Sequence, residues 1–190
     1  MDWLLGALTA LSKPIDLVGH DWGSLLVIRS VSLQPELVRS WAAGGAPLDR
    51  EYKWHQVARL WQTPEVGERV MDGMTPDSMR AALVAARVPE ADAARAAANV
   101  DATMKQCILT LYRSAVHVGA EWEDDLQRIS APGLVPWGEE DPYASVSFGA
   151  RLADRTGARF VPFPGCSHWW QLERPDEVVS VLESFWAAGS

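Results

Sequence analysis

One short stretch near the N-terminus constrains the fold more than any other part of the chain. Four residues typical of a strand, Ile-Asp-Leu-Val at 15–18, run into Gly-His-Asp-Trp-Gly at 19–23, and an apolar, helix-like run follows. A strand that turns this sharply into a helix needs small residues where the two segments approach, because a Cβ atom would collide there. We expect Gly19 and Gly23 to fill those positions. Asp21 is then held at the apex of the turn, at a helix N-terminus that favours negative charge.

The same turn carries a resemblance to a known family. A strand, Gly-x-Asp-x-Gly and a helix form the pattern of a nucleophile elbow, with aspartate at the position that serine occupies in Gly-x-Ser-x-Gly. The chain therefore resembles the α/β-hydrolase family. Within that family it resembles the enzymes with an aspartate nucleophile, which are epoxide hydrolases and haloalkane or haloacid dehalogenases. Gly-His-Asp-Trp-Gly is most similar to the epoxide hydrolases.

Two further motifs match this family in the order nucleophile, acid, base. Asp141 fits the acid position in Gly-Glu-Glu-Asp-Pro at 138–142, and His168 fits the base position in Gly-Cys-Ser-His at 165–168. A carboxylate that displaces a group at a saturated carbon becomes an alkyl ester, which water then hydrolyses with the help of a general base. The resemblance thus implies Asp21 as nucleophile, His168 as base and Asp141 as the carboxylate that orients it. The rival acids are Glu139, Glu140 and Asp49.

Opening an epoxide produces an alkoxide, which needs a proton donor. Tyrosine, with a pKa near 10, is far more acidic than an alcohol and can supply that proton. Epoxide hydrolases use tyrosines of their cap, and the Tyr-Arg pair that begins at Tyr112 resembles that feature; Tyr52 is a second candidate and Tyr143 a third. For the negative oxygen formed during the reaction, the Trp22 backbone N–H is the predicted donor, with His20 beside it as a substrate-binding candidate.

Two alternative functions stay open at this stage. A haloalkane dehalogenase would hold the departing halide with indole N–H groups, from Trp22 and one of Trp54, Trp61 or Trp122. A diol product would indicate an epoxide hydrolase, and free halide a dehalogenase. The other alternative is a catalytically weak scaffold or binding module. The sequence does not contain the His-Gly-x-Pro oxyanion motif of the family, and losing one oxyanion donor typically costs about 10²–10³ in rate.

The rest of the chain shows strand and helix patterns on both sides of a long helical segment. Residues 47–125 are alanine-rich and amphipathic without a good strand, which resembles the cap of the family. The predicted domains are a discontinuous core at 1–46 and 126–190 and a helical cap at 47–125. We predict an α/β fold, namely a truncated α/β-hydrolase with about four mostly parallel strands and flanking helices. The predicted strands are 15–18, 39–45, 132–137 and 158–163.

The resemblance also implies something about the edge of this sheet. The family carries further strands before the elbow that have no counterpart here, so the strand at 15–18 is expected to form an apolar edge. An unpaired apolar edge is a template for pairing with another chain. We therefore expect a homodimer in which these edges, or the faces beside them, meet.

Composition narrows the possible partners. The net charge of −8 and pI of about 5.0 argue against a nucleic-acid or anionic-membrane partner. Two cysteines do not suggest a disulfide framework, which indicates a reduced, cytoplasmic protein. We expect no metal or organic cofactor, because His and Cys lack ligand spacing and the chemistry needs only water and side chains. No signal peptide or membrane span is expected. Ten Trp and many Ala favour a small, apolar organic substrate.

Overall fold

The computed structural model describes residues 1–188 and contains a parallel sheet of four strands in the order β1-β2-β3-β4. Strand β3 is buried along its whole length, and β2 is buried at every residue except Arg39. This arrangement confirms the predicted α/β fold with about four parallel strands. The strands are β1 (Ile15–His20), β2 (Val38–Gly44), β3 (Gly133–Gly138) and β4 (Arg159–Phe163).

Helices connect the strands and fill the segment between β2 and β3. The side chain of Asp101, the N-cap of the helix at Ala102–Ser114, accepts a hydrogen bond of 2.7 Å from the Met104 N–H. None of the helices within residues 1–188 is long and apolar enough to cross a membrane. The helices are α1 (Asp2–Thr9), α2 (Trp22–Leu33), α3 (Gln56–Gln62), α4 (Val66–Asp72), α5 (Pro76–Ala85), α6 (Glu90–Ala97), α7 (Ala102–Ser114), α8 (Val118–Trp122), α9 (Val146–Thr156), α10 (Trp170–Glu173) and α11 (Pro175–Ala188), with short 3₁₀ helices at Pro35–Leu37 and Glu123–Arg128.

Strand β3 is displaced by one residue from the predicted strand at 132–137, and it contains a proline. Pro136 lies inside β3 and is in register with Val161 of β4. The pairing between β2 and β3 ends at Leu134, so β2 does not need the N–H that Pro136 lacks. The short helix α10 was not predicted at all.

Two buried tryptophans anchor the middle of the sheet. Trp41 of β2 and Trp137 of β3 are both fully buried. Buried indole N–H groups need partners, and these donate to backbone carbonyls, Trp41 to Ala131 at 3.0 Å and Trp137 to Ala144 at 2.9 Å. The second bond ties the loop after β3 to the core. That loop carries Asp141, so core packing helps to position a predicted site residue.

The chain divides into two compact units. The sheet unit comprises residues 1–52 and 118 onward, and the helical unit comprises 53–117. The helical unit is shorter at both ends than the predicted cap at 47–125, because the flanking residues pack within the sheet unit. Asp49 pairs with Arg151 of α9 at 2.8 Å, and Glu123 pairs with both Arg50 and Arg155. Whether the helical unit acts as a cap stays a prediction.

Strand β1 lies at one edge of the sheet, and substitutions on it can test the predicted homodimer. Val18 on this strand is 54% exposed, and Trp3 of α1 is 72% exposed. We expect Val18→Lys to lower the fraction of dimer, because a charge on an edge strand opposes strand pairing. Size-exclusion chromatography with light scattering measures this fraction. Val179→Lys on α11, where Val179 is 51% exposed, is the matched control and should leave the dimer intact. A monodisperse wild-type monomer would contradict the hypothesis.

Candidate active site

The turn between β1 and α2 has the geometry of a nucleophile elbow. Asp21 has φ 52° and ψ −122°, a conformation that costs free energy for a residue with a side chain. Its N–H donates to the Gly44 carbonyl at 3.0 Å, and its carbonyl accepts from the Ser24 N–H at 2.9 Å, which begins α2. These bonds hold Asp21 at the apex of the turn, as predicted.

The two glycines of the elbow contribute differently. A Cβ atom on Gly19 would lie 2.3 Å from the Gly23 carbonyl oxygen, so this position confirms the expected need for a small residue. A Cβ atom on Gly23 would have nothing within 4 Å, and the expectation for Gly23 was wrong. The difference lies in the direction in which a Cβ atom would point. At Gly19 it would point at the backbone of the helix, whereas at Gly23 it would point into open space.

A buried acid–base pair lies in the same unit. The Nδ1 of His168 lies 2.8 Å from the Oδ2 of Asp141, and the two residues are only 4% and 8% exposed. The other oxygen of Asp141, Oδ1, accepts hydrogen bonds from the N–H groups of Tyr143 at 2.8 Å and Ala144 at 3.1 Å. A carboxylate next to Nδ1 fixes the tautomer with the proton on that nitrogen. The Nε2 of His168 is therefore the atom that can accept a proton.

The nucleophile candidate faces this histidine. Nε2 of His168 lies 4.0 Å from Oδ1 of Asp21, a distance too long for a hydrogen bond and short enough for one small group to contact both atoms. The structure thus brings together Asp21, Asp141 and His168 from the ends of β1, β3 and β4. Their catalytic roles stay a hypothesis.

The surroundings of Asp21 change its acidity. Its side chain is 40% exposed, yet the carboxyl group is enclosed enough that loss of hydration raises its pKa. The nearby His168 and a hydrogen bond from the Trp22 backbone N–H oppose this shift, whereas the charge of Asp141 adds to it. The Trp22 N–H, the predicted oxyanion donor, therefore points at the carboxyl group of Asp21.

A model of the alpha/beta hydrolase family matches residues 1–181. The chain belongs to the alpha/beta hydrolase family. The match covers nearly all of both units.

Solved structures of alpha/beta hydrolases share the fold. A meta-cleavage product hydrolase from Pseudomonas fluorescens IP01 has a TM-score of 0.78 and 19% identity, covering 98% of this chain and 70% of that one. A hydrolase from Pseudomonas aeruginosa PA01 has a TM-score of 0.75 and 20% identity, covering 97% and 69%. The enol-lactonase from Burkholderia xenovorans LB400 has a TM-score of 0.69 and 21% identity, covering 97% and 70%. At such identities the likeness shows the fold alone.

The tyrosines of this alpha/beta hydrolase lie in different places. Tyr143 places its ring edge-on to His168 with centroids 5.0 Å apart, and the Tyr52 hydroxyl donates to the Tyr143 carbonyl at 3.1 Å. Burial raises the pKa of Tyr143, and the charges of Asp141 and Asp21 raise it further. Tyr112 is 9% exposed in the helical unit, where its ring packs on Trp54 and Trp61.

Tyr143 therefore contacts the histidine of the site, although the sequence ranked it below Tyr112 and Tyr52. One sequence signal could have identified it, because Tyr143 lies only two residues after Asp141. A residue that close to Asp141 shares the loop after β3 and must lie near the acid.

The rival acids and the candidate halide donors lie in different surroundings. The rival acid Asp49 pairs with Arg151, and Glu139 and Glu140 are exposed, so Asp141 is the acid that contacts His168. Trp54 donates its indole N–H to the Val116 carbonyl at 3.2 Å. The Arg29 guanidinium lies over the Trp122 ring, 5.0 Å from its centroid. The Trp61 indole N–H is buried and has no hydrogen-bond partner within residues 1–188.

The histidines, cysteines and acidic residues form neither a metal cluster nor a disulfide within the described range. Within residues 1–188 there is no group of three or more His, Cys, Asp or Glu that could hold a metal ion. Cys107 is exposed and Cys166 is buried, and neither is in a disulfide.

Proposed function

We propose that this alpha/beta hydrolase uses Asp21 as a nucleophile and converts a small apolar epoxide to a diol through an alkyl ester. The observation that carries the proposal is the aspartate at the elbow apex, 4.0 Å from the Nε2 of a histidine that Asp141 orients. A serine at this apex would indicate acyl transfer. A carboxylate is suited instead to displacement at saturated carbon, since its attack on an ester would give an anhydride.

The first step forms the ester. A carboxylate oxygen of Asp21 attacks one epoxide carbon, and the bond between that carbon and the epoxide oxygen breaks. The electron pair goes to the oxygen, which takes a proton from a tyrosine. The resemblance assigns this donor to Tyr112 and Tyr52, and the contact between Tyr143 and His168 supports Tyr143 as a further candidate. His168 is not needed in this step.

The second step hydrolyses the ester. Nε2 of His168 takes a proton from water, and the resulting hydroxide attacks the carboxyl carbon of the Asp21 ester. The Trp22 N–H, which already donates to this carboxyl group, stabilises the negative oxygen. The ester bond breaks, His168 returns its proton to the departing alcohol, and the diol leaves. The proton released when Asp21 ionises restores the tyrosine, so one water is consumed for each epoxide.

Trapping the ester tests this function. In a His168→Gln variant the first step can proceed and the second lacks its base, so incubation with epoxides should add the full mass of the epoxide to the intact protein. Peptide mapping should place that mass on Asp21. The double variant Asp21→Asn/His168→Gln is the control and should gain no mass.

The same measurement distinguishes the alternatives. A haloalkane dehalogenase would gain the mass of the alkyl group without the halogen, and free halide would appear. The Trp54 indole N–H already donates to the Val116 carbonyl, which argues against Trp54 as a halide donor. Absence of any adduct with every epoxide and haloalkane would overturn the proposal and favour a scaffold or binding module.

A further inference from the structure

The residue before the nucleophile connects the elbow to the loop that carries the base. Nε2 of His20 lies 2.8 Å from the backbone oxygen of His168, so the imidazole donates a hydrogen bond across 148 residues of sequence. His20 is covalently joined to Asp21. One side chain thus fixes the backbone of His168 relative to the backbone of the nucleophile.

Packing around His20 leaves it little freedom. Its ring centroid lies 4.5 Å from that of His168 and 5.2 Å from that of Trp169. On another side is Gly45, at φ +81°, where an added Cβ would lie 3.0 Å from Cδ2 and Nε2 of His20 and 3.4 Å from Cε1 of His168. The backbone just after β2 therefore covers both imidazoles, and the position of one ring depends on the other.

His20 also keeps a single charge state. Burial, followed by the proximity of His168, lowers the pKa of His20 to about 4. Its ring is therefore neutral near pH 7, with the proton on Nε2 where the His168 carbonyl requires it. A second cation beside His168 would disfavour the imidazolium that forms when His168 takes a proton from water.

We propose that His20 is a positioning residue for the second step of the reaction, resting on the function proposed above. Its bond to the His168 carbonyl holds Nε2 of His168 at its working distance from Asp21. Ester formation does not use His168, so loss of this bond should slow hydrolysis of the ester and leave its formation nearly unchanged. A residue needed only for folding would not separate the two steps.

Two amide substitutions test this without altering polarity. The Nε2 amide of His20→Gln can reach the position of the imidazole Nε2, whereas His20→Asn is too short to do so. We expect His20→Asn to slow ester hydrolysis about 10–100-fold, because a buried carbonyl loses its donor and the base shifts. The ester on Asp21 should then accumulate during turnover of an epoxide, visible by rapid-quench intact mass. His20→Gln should restore most of the hydrolysis rate.

A third variant guards against misfolding. His20→Phe keeps a flat ring and removes the donor, so it should slow ester hydrolysis as His20→Asn does. If the melting curve of one of these two variants shows that it is poorly folded, the other still tests the loss of the donor. Equal slowing of both steps, or equal rates in the Gln and Asn variants, would overturn the inference. Its failure is distinct from failure of the proposed function, because in the first case His168→Gln still forms the adduct on Asp21 and in the second it does not.

Discussion

Asp21→Asn is expected to lower the rate of epoxide hydrolysis by about 10⁴–10⁶-fold, the loss typical of removing a covalent nucleophile. Asparagine has nearly the same shape, and it tolerates the positive φ of 52° at this apex better than most residues. The fold and substrate binding should therefore persist while the attacking carboxylate is lost. Steady-state kinetics with an epoxide that gives a measurable wild-type rate provide the comparison.

An aspartate on β1, the strand that precedes Asp21, serves as control for this variant. Asp16 of β1 forms an ion pair with Arg39 at the surface, so Asp16→Asn should change the rate by no more than a few fold. Intact mass confirms that the introduced amide has not hydrolysed back to aspartate. Full activity of an intact Asp21→Asn protein would exclude Asp21 as the nucleophile.

Asp141→Asn is expected to slow hydrolysis of the ester by about 10⁴-fold. Oδ1 of Asp141 accepts two backbone N–H groups, from Tyr143 and Ala144, so the single oxygen of an asparagine must stay there. Its NH₂ group then faces Nδ1 of His168 and becomes the donor in that contact. The histidine is forced into the tautomer with its proton on Nε2, which cannot accept a proton from water.

This variant should still form the ester, because attack by Asp21 does not require a base. The expected signature is slow turnover with accumulated adduct on Asp21. Glu139→Gln is the matched control, since Glu139 is an exposed acid of the same loop, and it should retain activity within a few fold of wild type. Normal turnover in Asp141→Asn, or a similar loss in both variants, would remove Asp141 from the mechanism.

The sequence could predict the fold and the convergence of Asp21, Asp141 and His168 because both depend on local patterns; the catalytic roles of these residues stay a prediction. Asp21, Asp141 and His168 each follow a strand, and the carboxyl ends of parallel strands meet at one edge of a sheet. Their convergence needs only the strand assignments and the direction of the chain. The close approach at Gly19 was predictable for the same reason, since it arises within a single strand–turn–helix unit.

What sequence could not show depends on contacts between distant segments. Nothing near His20 indicates that its ring donates to residue 168, and the role first suggested for it was substrate binding. The helical unit is shorter than the predicted cap at 47–125 because long-range ion pairs, such as that between Asp49 and Arg151, hold its flanks within the sheet unit. Tyr143 was ranked low because the resemblance directed attention to Tyr112, whose ring packs within the helical unit.

The edge position of β1 in the sheet has a consequence for how the protein loses activity on storage and on heating. Within residues 1–188 this strand hydrogen-bonds to one neighbouring strand, β2, and peripheral strands open at a lower free energy than central ones. Local opening of β1 would displace the Asp21 carboxylate, whereas Asp141, on the loop after β3, would still hold the His168 imidazole in place. Inactivation would then precede general melting, and a ligand that covered the elbow would protect turnover more than it raised the melting temperature.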